Sequence, residues 1–321
     1  MKTSLSTSVL VIGSLSYDRV MEYKGVFTDR IMPDKLHTIS LSVLADTLHI
    51  RFGGTAANIA YSLKLLGMNP HIHAPAGHDF APYAKFMRSH KIDVSGIKTV
   101  KDEPTGTYFA LTDSNHNQIG SFYSGALKHA AAYRVTPTVC SSVSYAIISP
   151  TTPAAMMQGV DACTTAGVPY MFDPAFQIAD FSVEELHRGI QNADIVIGND
   201  YEISLLEKRL HLTHRALVAL CRTLVTTKGH AGSLIESKDE GVYEVPPVAG
   251  VHAVDPTGAG DAYRGGFIAG YLRGFDLSTS ARMGSVAAAY TVELSGTVTH
   301  SYTKKEFSKR YKKAYNSDIV V

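Results

Sequence analysis

AVDPTGAGDAYRGGF, running from Ala253 to Phe267, sets Gly-Ala-Gly-Asp at the threshold of an apolar run. VHAV (251–254) reads as a strand, and after Gly260 the apolar positions Ala262, Phe267, Ile268, Tyr271 and Leu272 follow a helical period until Gly274. The glycines therefore fall at a strand-to-helix turn. Gly258 and Gly260 carry no Cβ, so a ligand can come close to the backbone. The N–H groups of a first helical turn lack internal partners and sit at the positive end of the helix dipole, which makes an anion hole suited to phosphate. Asp261 stands in that same turn. A carboxylate there either complements the dipole or serves a second partner, such as a hydroxyl that must lose its proton. An anion hole beside a general base suits phosphoryl transfer to an alcohol, with Gly258, Ala259, Gly260 and Asp261 as the catalytic residues. The turn matches neither a Walker A loop nor a Rossmann fingerprint.

Outward from this turn, apolar runs alternate with helical patterns. SVLVIG (8–13), HIHAPAG (71–77), VSYAIIS (143–149), VPYMFD (168–173), ADIVIGN (193–199) and RTLVTTKG (222–229) read as strands covered on both faces. TAANIAYSLKLLG, ending at Gly67, reads as one of the intervening helices. The expected fold is α/β, with a mainly parallel central sheet. Two stretches break the rhythm. Residues 19–50 hold no clear helix, and TGTYFALT–DSNHN–QIGSFY (105–123) reads as strand, polar turn, strand. Together they are expected to form a small antiparallel sheet, either a lid over a cleft or a plain appendage. One domain is expected over residues 1–321.

The 321 residues carry 30 Lys+Arg against 29 Asp+Glu, so no charged surface points to nucleic acid or membrane. Lys304–Lys313, with six basic residues and one Glu, reads as a solvated amphipathic helix. The N-terminal apolar run is too short for a membrane span and reads as the first core strand. Cys140, Cys163 and Cys221 fit neither a disulfide framework nor a zinc pattern, and suit a reducing cytoplasm.

DPTGAGDAYRGGF resembles the C-terminal signature of the ribokinase-like (PfkB) family of sugar and nucleoside kinases, and GGTAANIAYSLKLLGMNPHIHAPAG (53–77) resembles its N-terminal one. NDYE (199–202) and TTKGHAG (226–232) are similar to its Asn-x-x-Glu element and nucleotide-contacting turn, and the four come in family order. The resemblance implies a ribokinase-like three-layer fold with a β lid, and ATP with Mg²⁺. It assigns Gly54 and Asn58 to ribose hydroxyls and puts Gly53 in the substrate site; on its own the Gly-Gly pair also reads as a tight strand–helix packing turn. It also has Asp18, in GSLSYD with Ser14, grip the sugar; as a lone residue Asp18 also reads as a turn or cap. Asn199 and Glu202 would serve ATP and, through water, Mg²⁺; locally they also read as a helix cap. Thr227, Gly229 and Gly232 would contact the nucleotide along with Gly258 and Gly260. By family analogy a K⁺ site would lie at Asp255 and the backbone around Ser295-Gly296-Thr297.

NDYE, QIGSFYSGAL (118–127), LHTISLS (36–42, with Ser42) and DAYRGGF look like the adenosine-kinase and broad nucleoside-kinase branch. There Tyr108 and Phe122 match base-stacking positions and Gln177 offers a base-edge amide; hairpin aromatics are otherwise simply good strand formers. Tyr108 stands where a phenylalanine is usual, and Asp180 near where an arginine can stand, departures that count against strict adenosine specificity. The expected function is phosphorylation of a ribonucleoside, a purine one, at its 5′-hydroxyl. The alternatives are a ribose or small-sugar kinase and a non-catalytic nucleoside-binding protein, the last opposed by the intact Gly258–Asp261 turn. The expected state is a monomer or a homodimer through the lid.

Overall fold

The computed structural model describes residues 7–38, 41–115 and 117–321. Strands β1 (Ser8–Ile12), β4 (Asn69–Gly77), β5 (Ile97–Val100), β8 (Tyr145–Ile148), β9 (Tyr170–Phe172), β10 (Ile195–Asn199), β11 (Thr223–Thr227), β12 (Ser233–Ser237) and β13 (Gly241–Val245) form one sheet, in the order β13-β12-β11-β10-β9-β8-β1-β4-β5. From β11 to β5 every neighbouring pair is parallel, and β12 and β13 extend that edge by antiparallel hairpins. Side chains alternate along each strand, so both faces of the sheet are apolar. Val9 and Val11 join one buried cluster and Leu10 and Ile12 the other. The first cluster is completed by helices α1 (Thr55–Leu65), α2 (Ala81–Ser89), α8 (Ala259–Tyr271), α9 (Leu277–Val292) and α10 (Lys304–Tyr315). The second is completed by α3 (Pro137–Cys140), α4 (Pro153–Ala166), α5 (Val183–Gln191), α6 (Asp200–Leu210) and α7 (His214–Leu220). Three layers result, with each fully buried Val, Leu or Ile contributing about 1.5–3 kcal/mol.

The second sheet has the order β3-β2-β6-β7, built from β2 (Ser16–Glu22), β3 (Thr47–Gly53), β6 (Gly106–Thr112) and β7 (Gln118–Tyr123). It is larger than expected at its base, starting at Ser16 and ending at Gly53. Its outer pairs are antiparallel, but the central pair β2–β6 is parallel. The reason is that β2 and β6 continue from β1 and β5, which run in the same direction in the main sheet. Between β2 and β3 lie two short 3-10 helices, Phe27–Asp29 and Pro33–Thr38. Part of the LHTISLS stretch (Ile39 and Ser40), His116 of the hairpin turn, and residues 1–6 lie outside the described residues.

One expectation is corrected. VHAV forms no strand and joins neither sheet. The N–H groups of Val254 and Asp255 instead donate to the Val292 carbonyl at the end of α9, at 2.7 and 3.1 Å. The glycine turn therefore joins irregular chain to helix. The cysteines are buried and free as expected, yet Cys140 and Cys163, 23 residues apart, bring their sulfurs to 3.5 Å. The basic segment is a helix that buries Phe307 and Tyr311 and leaves its lysines exposed.

Candidate active site

The carboxyl ends of β1, β9, β10 and β11 all meet the same edge of the parallel sheet, where open α/β sheets place ligands. Gly13, Asp173, Asn199 and Thr227 stand at those ends. α8 begins at this edge. Its N-cap is Gly258, at φ 79°, a left-handed conformation that disfavours any side chain, and a Cβ there would also meet Thr297 at 2.9 Å. The first i→i−4 hydrogen bond of the helix runs from Ala262 to Gly258. The N–H groups of Ala259 and Gly260 were the expected anion donors, but the Ala259 N–H goes to the Pro256 carbonyl at 3.2 Å, so Gly260 and Asp261 supply the N–H groups ahead of the ladder.

Asp261 Oδ2 accepts a 2.8 Å hydrogen bond from Asn58 Nδ2 on α1. The other end of that amide, Asn58 Oδ1, is buried without a partner, an acceptor beside the aspartate waiting for a donor such as a hydroxyl. Burial raises the Asp261 pKa to about 6; Arg264 and the Asn58 bond pull it down, and Asp173 and Glu202 push it up. Arg264 is itself buried and pairs with buried Asp173, Nη2 to Oδ1 at 2.7 Å and Nε to Oδ2 at 2.5 Å.

Asp18, on β2, is raised to about 6 by burial, with Arg51 opposing and Asp255 adding to the shift. Register places Arg51, Asp18, Tyr108 and Phe122 in one row: Asp18 is opposite Arg51 and Tyr108, and Tyr108 is opposite Phe122. Opposed residues share a face, so a carboxylate and two aromatic rings line up across the small sheet. The Tyr108 hydroxyl donates to Gln118 Oε1 at 3.0 Å.

Several expected site residues also have a packing task. The Ser14 hydroxyl accepts from the Thr55 N–H at 3.1 Å and so caps α1. A Cβ on Gly53 would meet Asp18 Oδ2 at 2.7 Å, and one on Gly54, at φ 95°, would meet the Ser14 carbonyl at 2.6 Å. The two glycines make room for Asp18 and for the β1–β2 backbone. Asn199 and Glu202 form a reciprocal capping box, at 2.8 and 2.7 Å. Burial raises Glu202, with Asp173 adding. Gln177 donates to the Thr151 carbonyl. Ser42 is exposed in irregular chain before β3.

A cavity of about 440 Å³ opens above the α8 N-terminus, within the size range of small-molecule sites. Thr227, Gly229 and Gly232 line one side and Ala259 and Gly260 its floor. The other walls come from residues that sequence reasoning missed: the Pro247–Ala253 stretch, and Ser285, Ala288, Ala289 and Val292 on α9. Their signal was present as small residues at helical spacing in SVAAAYTV and as the Pro/Gly content of VPPVAGVHAVDP. Arg264 and Asp173 were missed as a pair, because 91 residues separate them.

Among the described residues no group of three His, Cys, Asp or Glu could hold a metal ion. Mg²⁺ on a nucleotide asks for little more than phosphate oxygens and water, and Glu202 fits the water-bridged place. Asp255 holds the Thr257 and Gly296 N–H groups at 3.0 Å each, and Arg51 Nη1 lies 3.6 Å from its Oδ2. A monovalent cation there would have to share that carboxylate with the guanidinium. No helix among the described residues is long and apolar enough to cross a membrane.

The model of the pfkB carbohydrate kinase family matches residues 6–304. A nucleoside kinase of Methanothermobacter thermautotrophicus is 34% identical over 262 residues, 81% of this chain and 84% of that protein. The structure of Burkholderia thailandensis nucleoside kinase in complex with inosine is similar at TM-score 0.86 and 30% identity, over 97% of this chain and 99% of that one. That of Methanocaldococcus jannaschii nucleoside kinase has TM-score 0.86 and 26% identity, over 95% and 98%.

Proposed function

We propose that this chain, which belongs to the pfkB family of carbohydrate kinases, transfers the γ-phosphate of ATP to the 5′-hydroxyl of a ribonucleoside, with purine nucleosides preferred. The observation that carries the nucleoside reading is the row Asp18–Tyr108–Phe122. A carboxylate accepts both hydroxyls of a vicinal diol, and flat apolar rings beside it suit a base, which a free sugar lacks. The nucleoside kinases named above, one of them with inosine bound, support the same reading.

In this reading Asp261 takes the 5′-hydroxyl proton while the oxygen bonds to the γ-phosphorus, and the bond to the β–γ bridging oxygen breaks to release ADP. The Gly260 and Asp261 N–H groups face the phosphoryl oxygens, and Asn58 Oδ1 accepts from a ribose hydroxyl. ATP lies in the 440 Å³ cavity, its phosphates toward Gly260. Glu202 would reach a nucleotide-bound Mg²⁺ through water, and the ion would supply charge neutralisation.

The test is ATP consumption over a panel of ribonucleosides and free sugars, run in potassium and in tetramethylammonium. Turnover with inosine or adenosine well above that with ribose is expected. A preference for ribose moves the assignment to a sugar kinase, and equal rates in the two cations leave the charge at Asp255 to Arg51. The lid should close on its substrate and exclude water that would otherwise accept phosphate. Amide exchange across residues 105–123 should slow when nucleoside is added, and identical protection with and without it removes the lid role. Leu48, Ile50, Phe109 and Ile119 are exposed on the face opposite Asp18, the surface through which a homodimer would form; sedimentation velocity reads it. We place the reaction in the cytoplasm, where ATP is at hand and three free thiols stay reduced; cell fractionation checks it.

A further inference from the structure

Arg264 has no part in the chemistry above, yet α8 buries it three residues after Asp261, on the same side of the helix. It is 6% exposed and its partner Asp173 is 1% exposed. A buried guanidinium costs several kcal/mol to desolvate, so a paired one in a ligand cleft calls for a reason. Its surroundings supply one. Asp261 is faced by Arg264 from its own helix, by Asn58 from α1 and by Asp173 from the end of β9. The charge of Glu202 on α6 also acts on it, and Asp261 in turn acts on the buried Tyr83 of α2, whose hydroxyl donates to the Gly53 carbonyl at 2.8 Å. One cation thus stands among three carboxylates. The guanidinium also underlies the anion-hole turn, where a Cβ on Gly260 would come 2.9 Å from Arg264 Nη1.

We propose that Arg264, anchored by Asp173, is a positioning residue that keeps Asp261 ionised and thereby sets the lower pH limit of turnover. The inference rests on the kinase reading with Asp261 as the base. The electrostatics agree in sign: after burial, the Arg264 charge is the largest influence on Asp261 and lowers its pKa, while Asp173 and Glu202 raise it. Removing the guanidinium must therefore move the Asp261 titration up. Removing the Asp173 charge must move it down, because Arg264 then acts unopposed from that side.

The test is kcat against pH for the parent, Arg264→Gln, Arg264→Lys and Asp173→Asn, at saturating nucleoside and MgATP. The nucleotide's own titration is then common to all four. The parent's acid limb is expected near pH 6. In Arg264→Gln it should rise by about one pH unit or more, equivalent to about tenfold or more lost turnover on the acid side, with recovery toward the parent by about pH 9. Arg264→Lys should lie between the two. Asp173→Asn should shift the limb the opposite way, with the nucleoside KM within a few-fold throughout. A loss in Arg264→Gln that is equal at every pH would make Arg264 merely structural and overturn the proposal. If Arg264→Gln does not fold, an unshifted limb in Asp173→Asn overturns it instead. A parent inactive on every nucleoside and sugar refutes the kinase reading, whereas an active parent with unshifted variants refutes only this inference.

Discussion

Asp261→Asn is expected to lower kcat by about 10²–10⁴-fold, the usual cost of losing a general base. The nucleoside KM should stay within a few-fold of the parent. Asparagine keeps the shape of the side chain, still offers an oxygen to Asn58 Nδ2, and remains an acceptable residue at a helix start. What it cannot do is take the proton, an interaction made only as the transition state forms, so the loss falls on kcat. A dipole-complementing role alone would leave turnover nearly intact, so kcat within a few-fold of the parent refutes the catalytic assignment. The variant carries a second signature. The folded-state pKa of Asp261 is raised to about 6, so below that pH the folded protein holds this proton more tightly than the unfolded chain does. Burying the charge therefore costs stability, increasingly as pH climbs from about 4 to 6 and fully above that. Asp261→Asn should melt at a higher temperature than the parent at pH 7, and the gap should close near pH 4.

Asp18→Ala is expected to raise the nucleoside KM by about 10²-fold while kcat falls much less. The carboxylate would accept both ribose hydroxyls, and two charge-assisted hydrogen bonds at about 1.5 kcal/mol each multiply to roughly that factor. These bonds exist in the ground state and the transition state alike, so their loss is a binding loss. Steady-state kinetics separates the two variants. A kcat drop in Asp18→Ala without a KM change would mean that this residue does something other than hold the sugar.

Much of this was legible in the sequence because the signals are local. The unbroken apolar runs needed no long-range information to read as covered strands, and TAANIAYSLKLLG carries its own stop in Gly67, which the structure places at φ 80°. The glycine turn at Gly258 is likewise a local demand on backbone conformation. What stayed hidden depends on partners. Strand formation at VHAV needed a partner strand, and the chain there bonds to the end of α9 instead. The parallel pairing of β2 with β6 follows from how two distant strands leave the main sheet. The Arg264–Asp173 pair and the α9 wall of the cavity join residues that no window along the chain contains. Ser14 shows the converse: the resemblance marked it as a ligand contact, and its position in the fold adds a mechanical task, while the packing role of Gly54 was already one of its two readings.

The four strands of the small sheet are fastened along a single line. β2 leaves the body at Ser16, β3 returns at Gly53, β6 leaves at Gly106 and β7 returns at Tyr123, and register sets these four ends side by side at the base of the sheet. Such an attachment behaves as a piano hinge: it permits swing about that line and resists sliding or twisting. Distance from the hinge then decides how far each residue travels. Asp18, Tyr108 and Phe122 sit one or two residues out, at most about 7 Å at strand spacing, while Glu22 and Thr112 at the far edge lie roughly 20 Å away. A swing of about 20° would carry the far edge some 7 Å but the Asp18 row only about 2 Å. If the proposed ribose grip holds, Asp18 would stay almost stationary in an opening that sweeps wide at its rim, and a nucleoside would enter and leave without its anchoring carboxylate having to be reassembled each time.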